Sequence, residues 1–225
     1  MWAVVPLKSP DEAKSRLASV LSAAQRRHLF LTLAERVIRA LQATPGVAVV
    51  AVVTASAEVA DFARSLDAEL IRHAADFGTA SAFMSALVHL RPLRLERLLM
   101  VVGDLPLVTA AALERVVALA DSQPGIVVVP DRHRVGTNAL LCSPPEVVAP
   151  CFGGDSFRLH LKAARAAGVP ARVLELEALA LDLDVAADLD YLRAAGSAPA
   201  AQLWQALRHV DAERRPSRCV AGAAR

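Results

Sequence analysis

Arg97-Leu98-Leu99-Met100-Val101-Val102-Gly103-Asp104-Leu105-Pro106-Leu107-Val108 is the stretch whose reading decides the fold. Leu98 to Val102 is a continuous apolar run. A strand with one wet face alternates polar and apolar residues, so this run reads as a strand covered on both sides. It stops at Gly103-Asp104. An acidic residue directly after a central parallel strand lies where open α/β sheets bind ligands, outside the carboxyl ends of the strands. Pro106 keeps a helix from starting at once, and Thr109 is placed to cap a helix over Ala110 to Ala120. Taken alone, Asp104 is equally well a cap or an exposed loop carboxylate.

Upstream, Trp2 to Pro6 reads as a short strand rather than a secretory signal, since no basic segment precedes it. The polar stretch Leu7-Lys8-Ser9-Pro10-Asp11-Glu12-Ala13-Lys14-Ser15-Arg16-Leu17 follows at once. Its cations Lys8, Lys14 and Arg16 make it either a phosphate cradle or a solvated loop. Neither GxxxxGK[ST] nor GxGxxG is present. Ser22 caps a helix to about Ala43, with Leu29, Leu33, Val37 and Leu41 as its buried stripe. Then come a strand over Val47 to Val53, a helix over Ala57 to Leu66 and a weaker strand over Ala68 to Ile71. Asp76-Phe77-Gly78-Thr79 forms a turn and cap, and Ala80 to His89 a helix.

Downstream, Gly125 to Pro130 is a strand, Asp131 to Arg134 a charged turn, and Val135 to Cys142 leads into a strand hairpin-paired with its predecessor. A helix reaches Ala167 after Phe152-Gly153-Gly154-Asp155-Ser156-Phe157, Val173 to Leu176 is a last strand, and Leu181 to Val185 opens the final helix. Strands alternating with helices specify one α/β, Rossmann-like domain over residues 1–195. Its sheet is mostly parallel but mixed, with an antiparallel insertion near residues 136–142. Residues 196–225 form a C-terminal extension, a short amphipathic helix over Ala200 to Val210 followed by a loosely held tail from Asp211. Trp204 and Leu207 on that helix either seal a homodimer or pack on the domain.

Composition narrows the partners. The chain has 225 residues, 55% of them hydrophobic, which supports a sizeable core. Net charge is +2 and aromatic content 4%, with no basic stripe interleaved with aromatics, so nucleic-acid binding has little support. The longest apolar runs are too short to span a bilayer. Cys142, Cys151 and Cys219 are odd in number and lack CxxC spacing, as expected of free thiols in a reducing cytoplasm.

Asp104 gains meaning from Leu181-Asp182-Leu183-Asp184-Val185. Residues two apart in an extended segment share a face, so Asp182 and Asp184 point the same way. Three carboxylates at strand ends suit Mg²⁺, a hard cation that takes oxygen ligands and leaves positions for phosphate oxygens. The other reading of Asp182 and Asp184 is helix capping. The six histidines are scattered, which disfavours zinc, and no GxSxG elbow or poised Cys–His pair is present. Carboxylates, a cationic loop and phosphate point to nucleotidyl or phosphoryl transfer, where positioning and charge neutralisation do most of the work. Gly136-Thr137-Asn138 and Phe152 to Phe157 are the remaining polar islands. The second offers a Gly-Gly turn and, at Ser156, a helix N-terminus able to receive an anion, or else is an ordinary capped loop.

Several of these motifs, in this order, resemble the CofC/FbiD family. They are Val5-Pro6-Leu7-Lys8 with Lys14-Ser15-Arg16-Leu17, Gly103-Asp104-Leu105-Pro106-Leu107, Gly136-Thr137-Asn138-Ala139-Leu140, Phe152-Gly153-x-x-Ser156-Phe157 and Leu181-Asp182-Leu183-Asp184. The resemblance covers about residues 1–194. It implies a GT-A-like nucleotidyltransferase fold and a guanylyltransferase of deazaflavin coenzyme F(420) biosynthesis. By the same resemblance Asp104, Asp182 and Asp184 hold Mg²⁺, and Lys8, Lys14 and Arg16 face the GTP phosphates. Thr137, Gly153 and Ser156 bind a three-carbon phospho-acid: 3-phospho-D-glycerate, phosphoenolpyruvate or 2-phospho-L-lactate. The implied chemistry is attack by a phosphate oxygen of that acid on the α-phosphorus of GTP, releasing pyrophosphate, with the product passed to a deazaflavin transferase. Many relatives carry Gly-Leu-Asn ahead of the helix near residue 80; here the stretch is Gly78-Thr79-Ala80-Ser81, with Thr79 or Ser81 as the substitute.

The rival readings are a molybdopterin-type or sugar-phosphate nucleotidyltransferase of the same fold, and a non-catalytic nucleotide-binding regulator. The first usually keeps a Gly-rich loop after the first strand, where this chain has Pro6-Leu7-Lys8-Ser9-Pro10. A glycosyltransferase would show Asp-x-Asp after the central strand, where Gly103-Asp104-Leu105-Pro106 supplies one Asp.

Overall fold

Strands and helices alternate along the chain in the computed structural model, which describes residues 1–73, 78–120, 124–194, 196 and 200–205. The strands are β1 (Trp2–Pro6), β2 (Val49–Thr54), β3 (Glu69–Arg72), β4 (Leu98–Val101), β5 (Gly125–Pro130), β6 (Thr137–Ser143) and β7 (Ala171–Val173). The helices are α1 (Ala23–Gln42), α2 (Ala57–Ser65), α3 (Thr79–Leu90), α4 (Ala110–Ala118), α5 (Ser156–Ala166), α6 (Glu177–Ala180) and α7 (Ala186–Ala194).

The sheet runs β3-β2-β1-β4-β6-β5-β7. Every neighbouring pair is parallel except those of β6, which is antiparallel to both β4 and β5. The expected antiparallel insertion is β6, and it sits inside the sheet between β4 and β5. Its reversal has a consequence for function. The beginning of β6, at Thr137, lies on the same sheet edge as the carboxyl ends of β1, β4 and β5. Between β1 and β4 the winding changes direction, and this is where open α/β sheets leave a crevice.

The apolar run of the opening stretch behaves as its sequence dictates. Leu98, Leu99, Met100 and Val101 are each 0% exposed, and burial of such side chains stabilises by about 1.5–3 kcal/mol apiece. Leu99 and Val101 pack with Ala3 and Val5 against α1, α2 and α4, whereas Leu98 and Met100 pack with Val4 against α3 and α5. Both faces of the sheet are covered, so no position in the strand needs to be polar.

Helix boundaries follow their capping chemistry. At the start of α1 the Ser22 hydroxyl accepts from the Gln25 N–H while the Gln25 side chain accepts from the Ser22 N–H, a complete capping box. Thr109 caps α4 through the Ala112 N–H.

One expectation needs correction at the far edge. The last strand is β7 (Ala171–Val173), two to three residues earlier than the expected Val173 to Leu176. Leu176 instead begins a turn into the short helix α6 and buries with Leu179 in the core beneath β5 and β6. A helix of four residues is too short to show a 3.6-residue period, so the sequence carries no sign of it.

Residues 200–205 are helical. Ala200 and Leu203 are buried with Leu17, Leu29 and Leu189, Trp204 packs beside them, and the Arg193 guanidinium lies 4.5 Å over its ring. Leu207, the tail from Asp211 with Cys219, and the Asp76-Phe77 half of the predicted turn lie outside the described residues. Cys142 and Cys151 are free thiols. No helix among the described residues is long and apolar enough to cross a membrane.

Candidate active site

The first wall of the site is built by charge. After β1 the chain makes one more parallel hydrogen bond, Leu7 N–H to the Val53 carbonyl at 2.9 Å, then leaves the sheet. Lys14 takes a left-handed backbone conformation (φ +57°) and precedes a 3-10 turn over Ser15–Leu17, anchored by the buried Leu17. That turn carries the Lys14 ammonium inward. Its Nζ donates to Asp104 Oδ2 at 2.6 Å and to Asp184 Oδ1 at 3.1 Å, with 5% of its side chain exposed. Burial alone would drive Lys14 towards the neutral amine, but the charges and hydrogen bonds of Asp104 and Asp184 outweigh it and raise its pKa. For Asp184 burial works in the opposite sense to Lys14, Arg16 and Lys8, and the cations win, holding its carboxyl below the usual range.

Gly103 is required by close approach rather than by flexibility. A Cβ there would stand 2.4 Å from Leu7 Cδ2, so the buried Leu7 side chain would have to move to admit any other residue. Asp182 and Asp184 are fixed from behind. Leu181 and Leu183 turn into the core, and the Leu183 N–H donates to the Asp104 carbonyl at 3.3 Å. Asp188 Oδ2 accepts from both the Asp184 and Val185 N–H groups at 2.8 Å, and its Oδ1 accepts from Arg132 at 2.6 Å. The capping alternative for Asp184 thus falls to Asp188, in the first turn of α7, and the Asp184 carboxylate is free to face Lys14.

The second wall is built mainly from hydrogen bonds, with the Asp131 carboxylate as its one charged member among the described lining residues. Asp131, at the end of β5, accepts from the His133 and Val135 N–H groups with Oδ1 and from the Gly136 N–H with Oδ2, and so shapes the turn that delivers Thr137. Asn138 donates from Nδ2 to the Leu179 carbonyl at 2.8 Å, while its own carbonyl receives the Val102 N–H. Gly153 has φ +128°, a region open to glycine at little cost. Asp155, also at positive φ, spends its carboxylate on Arg158, so the N-terminus of α5 at Ser156 has no side-chain cap. The Ser156 and Phe157 N–H groups donate to the Gly153 and Val135 carbonyls at 3.2 and 3.0 Å, so what favours an anion here is the positive end of the helix dipole rather than a row of free donors. Ser156 itself is buried.

The two walls enclose a cavity of about 470 Å³. Lys8, Lys14, Arg16, Asp104, Thr137, Gly153, Ser156, Asp182 and Asp184, the residues assigned above to metal, triphosphate and phospho-acid, line it. A second cavity of about 220 Å³ shares Pro6, Leu7, Lys8 and Thr79 with the first and is closed by His73, Gly78 and Ala82. Thr79 therefore faces the site, whereas Ser81 lines neither cavity.

The expected metal centre is only partly assembled. Among the described residues no three carboxylate, His or Cys side chains are gathered closely enough to hold one ion. The Lys14 ammonium is what Asp104 and Asp184 close upon, because two neighbouring carboxylates without a cation between them repel. The donor chemistry nonetheless fits Mg²⁺. Asp182 lies near Asp104 and Asp184; burial first, and then their charges, push its carboxyl up to about 7. A divalent cation would relieve that crowding, and all the donors are oxygens.

Three residues of the site carry little or no mark in the sequence. Asp188 has a signal, since a carboxylate in the first turn of a helix can reach back to the N–H groups before it. Asp131 has a weaker one, as an acidic residue heading a tight turn. His160, fully buried between Thr137 and the loop before Gly153, has none.

Comparison with known proteins bears on the whole chain. The model of a family described as guanylyl transferase CofC like matches residues 1–224. The phosphoenolpyruvate guanylyltransferase of Sphaerobacter thermophilus is 39% identical, over 88% of this chain and 93% of its own. That of Conexibacter woesei is 37% identical, over 85% and 86%. Among solved structures, a putative nucleotide-diphospho-sugar transferase from Desulfovibrio desulfuricans G20 superposes with a TM-score of 0.74. It covers 94% of this chain and 95% of its own at 14% identity, a likeness of fold.

Proposed function

The chain belongs to the CofC-like guanylyl transferase family and is a guanylyl-transferring nucleotidyltransferase, and from that premise we propose that it transfers GMP from GTP to a three-carbon phospho-acid. The observation that carries this reading is the two-walled cavity: cations and carboxylates on one side, and on the other the hydroxyl and glycine groups of Thr137, Gly153 and Ser156 beside a turn held by Asp131. The names of the relatives favour phosphoenolpyruvate over 2-phospho-L-lactate and 3-phospho-D-glycerate as the acceptor. The product would be a guanosine-diphosphate-linked acid, passed on to a transferase acting on a deazaflavin in coenzyme F(420) biosynthesis.

The reaction forms a bond between a phosphate oxygen of the acid and the α-phosphorus of GTP, and breaks the bond from that phosphorus to the bridging oxygen of the β-phosphate. Pyrophosphate leaves with the electron pair. Lys8, Lys14 and Arg16 lie on the wall where the triphosphate fits, and their charge offsets what develops on its oxygens. Thr137, Gly153 and Ser156 hold the acceptor, with the start of α5 towards its anionic groups. The smaller cavity, which shares Lys8 and Thr79 with the first, is the place for the nucleobase. Asp104, Asp182 and Asp184 would hold Mg²⁺, which when bound neutralises phosphate oxygens and orients them.

Incubation with GTP, Mg²⁺ and each of the three acids should release pyrophosphate and yield a product of the mass of the acid plus GMP less water. Chelation of divalent cations should stop the release and added Mg²⁺ should restore it. Release that survives chelation would remove the metal from the reading; no release with any of the acids would overturn the acceptor class.

A further inference from the structure

The Thr137 hydroxyl stands 3.0 Å from His160 Nδ1. Which of the two donates is decided on the other side of the ring. The Cys151 backbone N–H donates to Nε2 at 2.8 Å, so Nε2 carries no proton and a neutral ring must carry it on Nδ1. The ring is neutral: it is 0% exposed, and burial lowers its pKa to about 4 against a smaller upward pull from a hydrogen bond with the Ser156 backbone. Phe152 packs edge-on to the ring at 5.1 Å and lies tilted against Phe83 at 4.3 Å, so the imidazole is held against an aromatic pair while its two nitrogens are fixed by Thr137 and the Cys151 N–H. One side chain thereby ties together the start of β6, the loop leading to Gly153 and the first turn of α5.

We propose that His160 is the positioning residue of the acceptor subsite: by donating to Thr137 Oγ1 while anchored by the Cys151 N–H, it leaves the Thr137 hydroxyl proton free to be donated into the cavity. Thr137 Oγ1 makes no other side-chain hydrogen bond among the described residues. The hydroxyl becomes a donor of fixed direction, suited to a phosphate or carboxylate oxygen of the phospho-acid. The inference rests on the reading that Thr137, Gly153 and Ser156 hold that acid.

Two substitutions separate the halves of the ring. In His160→Asn the amide nitrogen falls near the Nδ1 position and can still donate to Thr137, but nothing receives the Cys151 N–H. In His160→Gln the amide oxygen reaches the Nε2 position and receives the Cys151 N–H, but the donor to Thr137 is lost. The Gln variant should raise KM for phosphoenolpyruvate about tenfold and leave KM for GTP within twofold. The Asn variant should stay within about threefold of wild type for both, whatever it loses in thermal stability. Thr137→Val and the double variant Thr137→Val, His160→Gln should share one KM for phosphoenolpyruvate, since the second change acts only through the first. Nitrogen chemical shifts of the labelled histidine ring should report protonation at Nδ1. If the Gln variant matches wild type for phosphoenolpyruvate, or the ring is protonated at Nε2, the positioning role is overturned while the guanylyl transfer stands. A wild-type protein that neither turns over nor binds any of the three acids by calorimetry overturns both.

Discussion

Along one wall of the cavity Lys14, Asp104 and Asp184 meet as charges, two of them partly open to water; along the other, Thr137, Ser156 and His160 meet as neutral groups with almost no exposure. The charged wall draws its partners from sequence separations of 90 and 170 residues, so it exists only once the sheet has brought β1, β4 and the segment before α7 together. The neutral wall is assembled from β6, α5 and the loop between them, with Thr137 and His160 only 23 residues apart. The difference teaches where chemistry and selectivity divide. Charges that can exchange partners suit a triphosphate, whose binding must end in release, whereas a buried hydrogen-bond network of fixed direction suits discrimination among small acids.

Substitutions on the two walls should therefore fail differently. Asp104→Ala should cost most, lowering kcat on the order of 10³-fold in a pyrophosphate-release assay while circular dichroism shows the fold intact. An active Asp104→Ala protein would break the charged wall's claim to the chemistry. Lys14→Met should come next, about 10²-fold in kcat. Because it leaves Asp104 and Asp184 facing each other, it should also lose about 1–2 kcal/mol of stability, the larger penalty of a buried pair being discounted for the exposure of Asp184. Equilibrium denaturation of the metal-free protein measures that loss.

Thr137→Val should be smaller and of another kind: about a tenfold rise in KM for the phospho-acid, with KM for GTP unchanged. If both KM values rose together, the two walls would not be separate subsites.

The last effect is on stability alone. His160 has a folded pKa of about 4, below the ordinary value of 6.5, so below pH 6.5 the unfolded chain takes up its proton first. Stability from this group is complete above pH 6.5 and is lost as pH falls towards 4, by up to about 3 kcal/mol. Carboxylates titrate over the same range, so the quantity to measure is the difference between wild type and His160→Gln in urea denaturation at pH 7 and pH 4.5. The variant should show a shallower loss.

Much of this molecule is legible in its residues alone. Leu98 to Val101, Ser22 with Gln25, Thr109 and the Gly125–Pro130 run mark the elements, because apolar runs and caps act over a few residues and leave local traces. The site residues are legible as motifs at strand ends, and they line one cavity. Arrangement is not legible in this way. Nothing local says that β6 inserts between β4 and β5, that Leu176 turns inward to start α6 instead of extending β7, or that Lys14 rather than a third carboxylate is the group Asp104 and Asp184 close upon. Sheet order and ion pairing are settled by which distant surfaces bury best together, and His160 is the sharpest case. A lone histidine in an amphipathic helix looks like any other until tertiary packing removes it from water and sets a backbone N–H against one nitrogen and a threonine against the other. The sequence determined the elements and the chemical groups at their ends; the packed sheet decided which of those groups meet, because contact between residues far apart in the chain depends on burial that no local pattern records.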